Sequence, residues 1–250
     1  MARGQKQVPG QITFEEFCVN PSHYVVQANA LIGGKQALSI NAAKIIRAAI
    51  MQVVFEDEAL KPYKISISDL AMLLGIHKNE LYRDINDITD NIIENPVYIK
   101  VISGKKEGWV KIPWVSQCEY NSDAGVAIQL NEKLKPYLLN LKERYTQYPL
   151  ENILAMKSVY AIRIFELIQE KILDRILPKD GTDVTLSVET IRECCGCEDK
   201  YPEFKSLRAR VIDTAEKEIN RVTLYTVSHS YVKTGRSVTS IVFHVNMKYH

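Results

Sequence analysis

A short block of sequence occurs twice in this chain, and that repetition limits the available architectures more than any other feature. Ile65-Ser66-Ile67-Ser68-Asp69-Leu70, closed by Gly75, aligns with Leu186-Ser187-Val188-Glu189-Thr190-Ile191, closed by Gly196, at a constant offset of 121 residues. In each copy an alternating run suited to a half-buried strand leads into a short helical pattern that the glycine stops. A long helical pattern and alternating segments follow in both halves. The repeated order reads as internal duplication of one small module. A chain of 250 residues has room for two.

In the first half, a helix is expected from Leu38. Ser39 or Asn41 caps it, and Ala42, Ile45, Ile46, Ala49, Ile50 and Val53 form its apolar stripe. Tyr63 to Ile67 reads as a strand, and Ser68 as the cap of a short helix carrying Leu70, Leu73 and Leu74. Leu81, Ile85, Ile88 and Ile92 mark a longer helix that Asn95-Pro96 ends. Strands are predicted over Val97 to Ile102 and Trp109 to Tyr120, flanking Ser103-Gly104-Lys105-Lys106, and over Val126 to Leu130. A closing helix from Asn131 to Leu141 completes the unit.

The second half repeats this order. A helix over Asn152 to Leu173 precedes a break at Pro178-Lys179-Asp180-Gly181, a strand over Val184 to Val188 and a short helix over Glu189 to Cys195. Near Pro202 a long helix begins, with Phe204, Leu207, Val211, Ala215, Ile219 and Val222 facing inward. Strands over Thr223 to Val232 and Ser237 to Val245 flank the turn Lys233-Thr234-Gly235-Arg236. Helix, short helix, helix and β-hairpin is the order of a winged helix. The expected fold class is therefore α+β, with two tandem winged-helix domains related by duplication. Residues 1–29 are assigned as an N-terminal arm and lead-in, 30–148 as the first domain and 149–250 as the second. The junction is expected near Tyr145 to Glu151.

In a helix-turn-helix the second helix enters the DNA major groove. The two candidate readers differ in charge. Residues 200–236 carry eight Lys and Arg against four acids, whereas Lys78 to Glu94 carries two bases against five acids. The chain-wide charge of +2 hides this contrast, and only a local basic patch can serve phosphate. Helical phase turns Ser206, Ala209 and Arg210 outward with Lys205 at the edge, so these four are the expected base contacts. Lys217 and Arg221 lie further along the same side and suit phosphate, and Arg208 falls within the apolar stripe as an additional contact. Lys233 and Arg236 make the hairpin turn basic. In the first domain Lys105, Lys106 and Lys111 are the expected backbone contacts, with protein contact, including self-association, expected elsewhere.

Other chemistry finds little support. Cys194, Cys195 and Cys197 lack the second ligand pair of a closed zinc site and read as buried thiols. The five cysteines are unevenly spaced and no secretory pattern opens the chain, which points to the cytoplasm. No apolar run is long enough for a membrane span. There is no GxxxxGK[ST], and no residue spacing suggests a nuclease. No enzyme activity, cofactor or metal is expected.

Three blocks carry a family likeness. The first is Leu134-Lys135-Pro136-Tyr137-Leu138-Leu139 with Tyr145-Thr146-Gln147-Tyr148 and Met156 through Leu167; the second runs from Tyr201-Pro202-Glu203-Phe204-Lys205 through Arg210-Val211-Ile212 to Asn220. The third is Gly235-Arg236-Ser237-Val238 with Ile241 and Phe243. In these blocks the chain resembles the initiator Rep proteins of iteron-containing plasmids. The resemblance implies two winged-helix domains joined by the helix that includes Lys157 to Leu167, and recognition of repeated double-stranded origin DNA chiefly by the second domain. It places Lys205, Arg208 and Arg210 in the basic reading cluster. It also implies a homodimer in one functional state, built through the first domain, and recruitment of a host replication initiator and helicase. The acidic helix around Asp84 to Asp90 departs from such a reader. The alternatives are a winged-helix transcriptional repressor and a protein-interaction adaptor whose basic helix is merely solvated.

Overall fold

The computed structural model describes residues 23–54, 57–103, 106–172, 177 and 180–248. Residues 1–22 of the assigned N-terminal arm and lead-in, Lys105, and Pro178 and Lys179 of the expected break lie outside the described residues.

Strand β1 (Tyr24–Ala28) and the one-turn helix α1 (Asn29–Ile32) come first, then α2 (Ile40–Met51). Ser39 caps α2, its hydroxyl accepting the Ala42 amide at 3.3 Å. All but the first two residues of α2 are buried, Lys44 and Arg47 included, so it is a central helix rather than an amphipathic surface one. Strand β2 (Pro62–Ile65), α3 (Ile67–Leu74) and α4 (Lys78–Glu94) follow. The cap of α3 is Ser66, not Ser68: Ser66 Oγ accepts the Asp69 amide at 3.0 Å, and buried Ile67 already belongs to the helix. Gly75 closes α3 in the left-handed region, at φ 66°.

The stretch from Trp109 to Tyr120 is not one strand. Hairpin β3 (Val97–Ser103) and β4 (Lys106–Ile112) stands apart from β5 (Val115–Asn121) and β6 (Gly125–Leu130). Pro113 has no amide for a ladder, and Trp114 turns fully inward between the two strands. The expected helix over Asn131 to Leu141 shortens to a 3-10 turn (Glu132–Leu134) and α5 (Lys135–Leu138). The segment from Tyr145, where the junction is expected, contains a strand. Strand β7 (Tyr145–Pro149) pairs antiparallel with β1, which brings residues 24–28 of the assigned lead-in into the fold, Val25 fully buried among them.

The expected helix over Asn152 to Leu173 is two, α6 (Glu151–Leu154) and α7 (Val159–Lys171), separated by a link in which Met156 is buried. Then come β8 (Thr182–Ser187), α8 (Val188–Cys194), α9 (Phe204–Leu207), a π turn (Arg208–Ile212), α10 (Asp213–Val222), β9 (Tyr225–Thr234) and β10 (Ser237–Met247). The two winged-helix sheets share one topology, with order β2-β6-β5 in the first and β8-β10-β9 in the second. Ser187 caps α8 through the Thr190 amide at 2.9 Å, as Ser66 caps α3, so the duplicated sequence block is a duplicated strand-cap-helix joint. One continuous apolar cluster runs through both modules.

Candidate nucleic-acid interface

The turn between α8 and the reading segment is fixed by a side chain the sequence did not mark. Arg192, on α8, donates to the carbonyls of Lys200 at 2.8 Å and Tyr201 at 2.7 Å. Its fork satisfies backbone oxygens of a loop whose chain passes through left-handed conformations at Gly196 and Tyr201. The helix that leaves this turn therefore starts from a braced position.

That helix is continuous from Phe204 to Val222 but not regular. Leu207, Val211, Ile212, Ala215 and Ile219 are all buried, with consecutive Val211 and Ile212 both facing in. The π turn permits this, because its wider register inserts one extra residue per turn. Thr214 Oγ1 donates to the Ala209 carbonyl at 3.0 Å, giving a partner to an oxygen in the widened turn. On the outer side Arg208, Ala209 and Arg210 are exposed in succession. The apolar-stripe position expected for Arg208 is thereby corrected: the π register turns it to solvent. Lys205 is exposed and Ser206 is half-buried, less open than the regular phase implied.

Arg208 is held rather than loose. Its Nε donates to Asp213 Oδ1 at 3.3 Å, and its guanidinium lies 5.8 Å from the Tyr231 ring centre on β9. Tyr231 also meets Phe204 edge-on at 5.5 Å and hydrogen-bonds His229 Nε2 at 2.7 Å. Strand β9 thus props the first turn of the helix from Phe204 through an aromatic contact, which its alternation alone does not reveal. At the hairpin tip Lys233 and Arg236 are exposed, and Gly235 adopts φ 61° with open space around it.

Further along, Lys217 and Arg221 are exposed on α10. Arg221 has a structural partner as well, donating to the Ala155 carbonyl at 2.6 Å. Between them Glu218 Oε2 accepts the amides of Lys157 at 2.6 Å and Ser158 at 3.2 Å, so this carboxylate caps α7 where Ser158 itself does not.

In the first domain the equivalent of the second wing is the β5–β6 hairpin, whose turn carries Asp123 and lacks Lys and Arg. The hairpin read from Ser103 to Lys106 as the wing is an insertion between α4 and that sheet. Lys106 is exposed on this inserted hairpin. Lys111 lies 4.8 Å from the ring centres of both Tyr98 and Trp109. Lys100 pairs with Glu193 of α8 at 2.7 Å, so the insertion leans on the second domain. The outer face of α4 exposes Glu80, Asp87, Asp90 and Glu94, and Arg83 is paired with Asp84 at 2.6 Å. Phosphate is repelled there.

Cys194, Cys195 and Cys197 are buried, and burial pushes all three thiols up from their ordinary range. Cys194 Sγ contacts the Gly33 carbonyl at 3.1 Å. Among the described residues no group of His, Cys, Asp and Glu could hold a metal ion, and no helix is long and apolar enough to cross a membrane.

Comparison with known proteins gives consistent matches. Residues 24–169 match the family described as Initiator Replication protein, WH1, and residues 187–245 match Initiator Rep protein, WH2. A replication initiation protein of Escherichia coli is 22% identical over 227 residues, covering 89% of this chain and 69% of that protein. The crystal structure of Pi initiator protein in complex with iteron DNA superposes with a TM-score of 0.74 at 18% identity, over 93% of this chain and 100% of the other. Domains 2 and 3 of RctB superpose at 0.51 and 8% identity, over 86% and 84% of the two chains.

Proposed function

The chain belongs to the initiator Rep protein family, and from that premise we propose that it starts plasmid replication by binding repeated origin DNA through its second winged helix. The observation that carries this reading is the outward run Arg208-Ala209-Arg210, placed by the π turn at the leading end of the second helix of a braced helix-turn-helix. Arg210 and Lys205, with Ser206 and Ala209 between and beside them, take the base edges; Arg208, Lys217, Arg221, Lys233 and Arg236 take backbone. Lys106 and Lys111, with Lys105, add contacts from the inserted hairpin. The similarity to a structure solved with iteron DNA supports this assignment.

The first domain, with an acidic helix in its reading position, serves mainly protein contact: a homodimer in one functional state, and a host replication initiator or helicase in another. The role is stoichiometric and cytoplasmic, with no reaction catalysed.

Selection of duplexes from a random library at two salt concentrations tests the reading. The expected result is enrichment of one repeated motif, with Arg210→Ala weakening binding by about 1–3 kcal/mol and relaxing one position of that motif. A chain that enriches no duplex at either salt concentration overturns it in favour of a protein adaptor. An enriched motif that occurs only at a promoter, and not in repeats beside an AT-rich segment, moves the function to transcriptional repression.

A further inference from the structure

We propose that His229 is a positioning residue for DNA binding: a proton taken up at its Nε2 draws the Asp213 carboxylate away from Arg208 and leaves that guanidinium free for the DNA backbone. The proposal rests on the duplex-binding reading above and adds to it a control on the same site.

The geometry begins with one carboxylate shared by two basic side chains. Asp213, at the start of α10, accepts from Arg208 Nε at 3.3 Å, and its Oδ1 lies 3.6 Å from His229 Nε2 on β9. Both separations exceed the ordinary N–H···O distance of about 3 Å, so Asp213 is fully committed to neither partner. The imidazole side chain is only 9% exposed. Its Nδ1 contacts Glu216 Oε2, and its Nε2 lies 2.7 Å from Tyr231 Oη. Among the described residues the charged and titratable groups around the ring are Asp213 and Glu216 from α10 and Tyr231 from β9. Arg208 of the π turn stands beyond Asp213, and β10 contributes the uncharged ring of Phe243.

These partners decide which nitrogen titrates. An ionised carboxylate has no proton to give, so Nδ1 holds the hydrogen that Glu216 accepts. Nε2 is then the atom that gains or loses a proton. Without one it accepts the Tyr231 hydroxyl. With one, taken from solvent, it becomes a donor, and Asp213 is the second anion within its reach. The competing Arg208–Asp213 pair is open to water, its side chains 51% and 40% exposed, and holds only weakly. An imidazolium screened from solvent between two carboxylates attracts Asp213 more strongly.

Two consequences for DNA point the same way. Arg208, released from Asp213, turns to phosphate from its place beside the Tyr231 ring. With His229 neutral, Arg208 alone answers two carboxylates, and this part of the reading segment carries excess negative charge; the proton cancels it. Phosphate is therefore repelled less and held more tightly as pH falls through the range in which histidine titrates. The coupling is reciprocal, so DNA bound at Arg208 favours the protonated ring and binding takes up a proton.

The test measures affinity of the full chain for the duplex enriched in selection at about pH 6 and about pH 8, at one ionic strength. Wild type is expected to bind roughly tenfold tighter at the lower pH, the effect of one charge-assisted bond to phosphate. Its dependence of log K on log salt is expected to steepen there by about 0.9. His229→Gln is expected to bind at both pH values as wild type does at the higher one, and Asp213→Asn as wild type does at the lower one. Arg208→Ala, a change on the exposed side, is expected to lose roughly tenfold at the lower pH and little at the higher. It decides alone if the other two variants fail to fold. A pH dependence undiminished in His229→Gln, or an Arg208→Ala loss equal at both pH values, overturns the proposal and leaves duplex recognition standing. Wild-type affinity that stays level or weakens as pH falls does the same. A wild-type chain that binds no duplex at either pH removes the proposal together with the reading beneath it.

Discussion

Arg47 on α2 and Glu166 on α7 form a two-pronged ion pair, with Nε–Oε1 and Nη2–Oε2 distances of 2.9 Å and no exposure of either side chain. Arg163 adds a second cation to the same carboxylate, and Tyr148 Oη at 2.5 Å and Gln27 Nε2 at 3.0 Å donate to it as well. Arg47 reaches on to Gln36 Oε1 at 2.7 Å. Arg163 also donates to the carbonyls of Ile32, Gly34 and Cys194, which joins the loop after α1 to the end of α8. Charge buried this way stabilises little against an apolar replacement, but removing one member leaves the others unpaired.

Glu166→Gln is accordingly expected to cost roughly 3–5 kcal/mol in urea unfolding at neutral pH. The pH dependence has a definite sign. Burial alone raises the carboxyl, but Arg47 and Arg163 with the hydrogen bonds outweigh it and hold Glu166 at about 2, against an ordinary value of 4.5. The folded value is depressed, so the contribution is fully present above about pH 5 and is lost as pH falls toward 2. Wild-type stability measured from pH 7 downward should drop through that window, with a shallower drop in Glu166→Gln. Parallel acid limbs in the two proteins would place the acid sensitivity elsewhere.

Two glycines in hairpin turns separate a backbone requirement from a packing one. Gly125 adopts φ 115°, and a Cβ there would lie 2.1 Å from the Ile65 carbonyl oxygen. Gly235, at φ 61°, faces open space. Gly125→Ala should therefore cost about 3 kcal/mol or more, because the turn must move off the β2–α3 joint. Gly235→Ala should cost about 1 kcal/mol, the left-handed penalty alone. Thermal melts of the two variants check this; equal shifts would refute the stated contact.

Arg192 offers a prediction about positioning. Its fork holds the carbonyls before the reading helix and touches no expected DNA group. Arg192→Met should cost about 1–3 kcal/mol of stability, from carbonyls left without their charged donor. It should also weaken binding to selected duplexes more than to scrambled ones, because a loosened turn misplaces Arg210. An equal loss on both would mean that Arg192 acts on phosphate directly.

Much of the architecture was legible because the duplicated block recurs with its stop glycine and both halves carry helix-period stripes, although its cap was misplaced, Ser68 being read for Ser66. What was missed has specific causes. Strand β1 pairs with β7 across more than a hundred residues, and no local pattern announces such a partner. The extra hairpin looked like a wing because a strand pair after a helix reads the same whether it is inserted or not; Pro113-Trp114 was the available signal of a break. Arg192 and Glu166 act through tertiary contacts that spacing cannot show. In the reading helix, Leu207, Val211, Ala215 and Ile219 recur at strict intervals of four, which drifts steadily around a regular helix. That drift was the trace of the π turn, and it explains why Arg208 seemed to sit among apolar residues.

The π turn yields the sharpest prediction. Buried positions now fall at Leu207, Val211, Ile212, Ala215 and Ile219, one residue later after Leu207 than a regular stripe allows. Deleting Ala209 brings them to the intervals three, four, seven and eleven of an ordinary amphipathic helix. The core face survives, and the strained register is replaced by regular hydrogen bonds. The outward run shrinks from three residues to two, and Arg210 comes one position nearer Arg208. The deletion variant should thus melt within a few degrees of wild type or above it, while losing preference for the selected duplex. A fall in melting temperature with sequence preference intact would mean that the turn serves packing, and that Arg210 does not read bases through it.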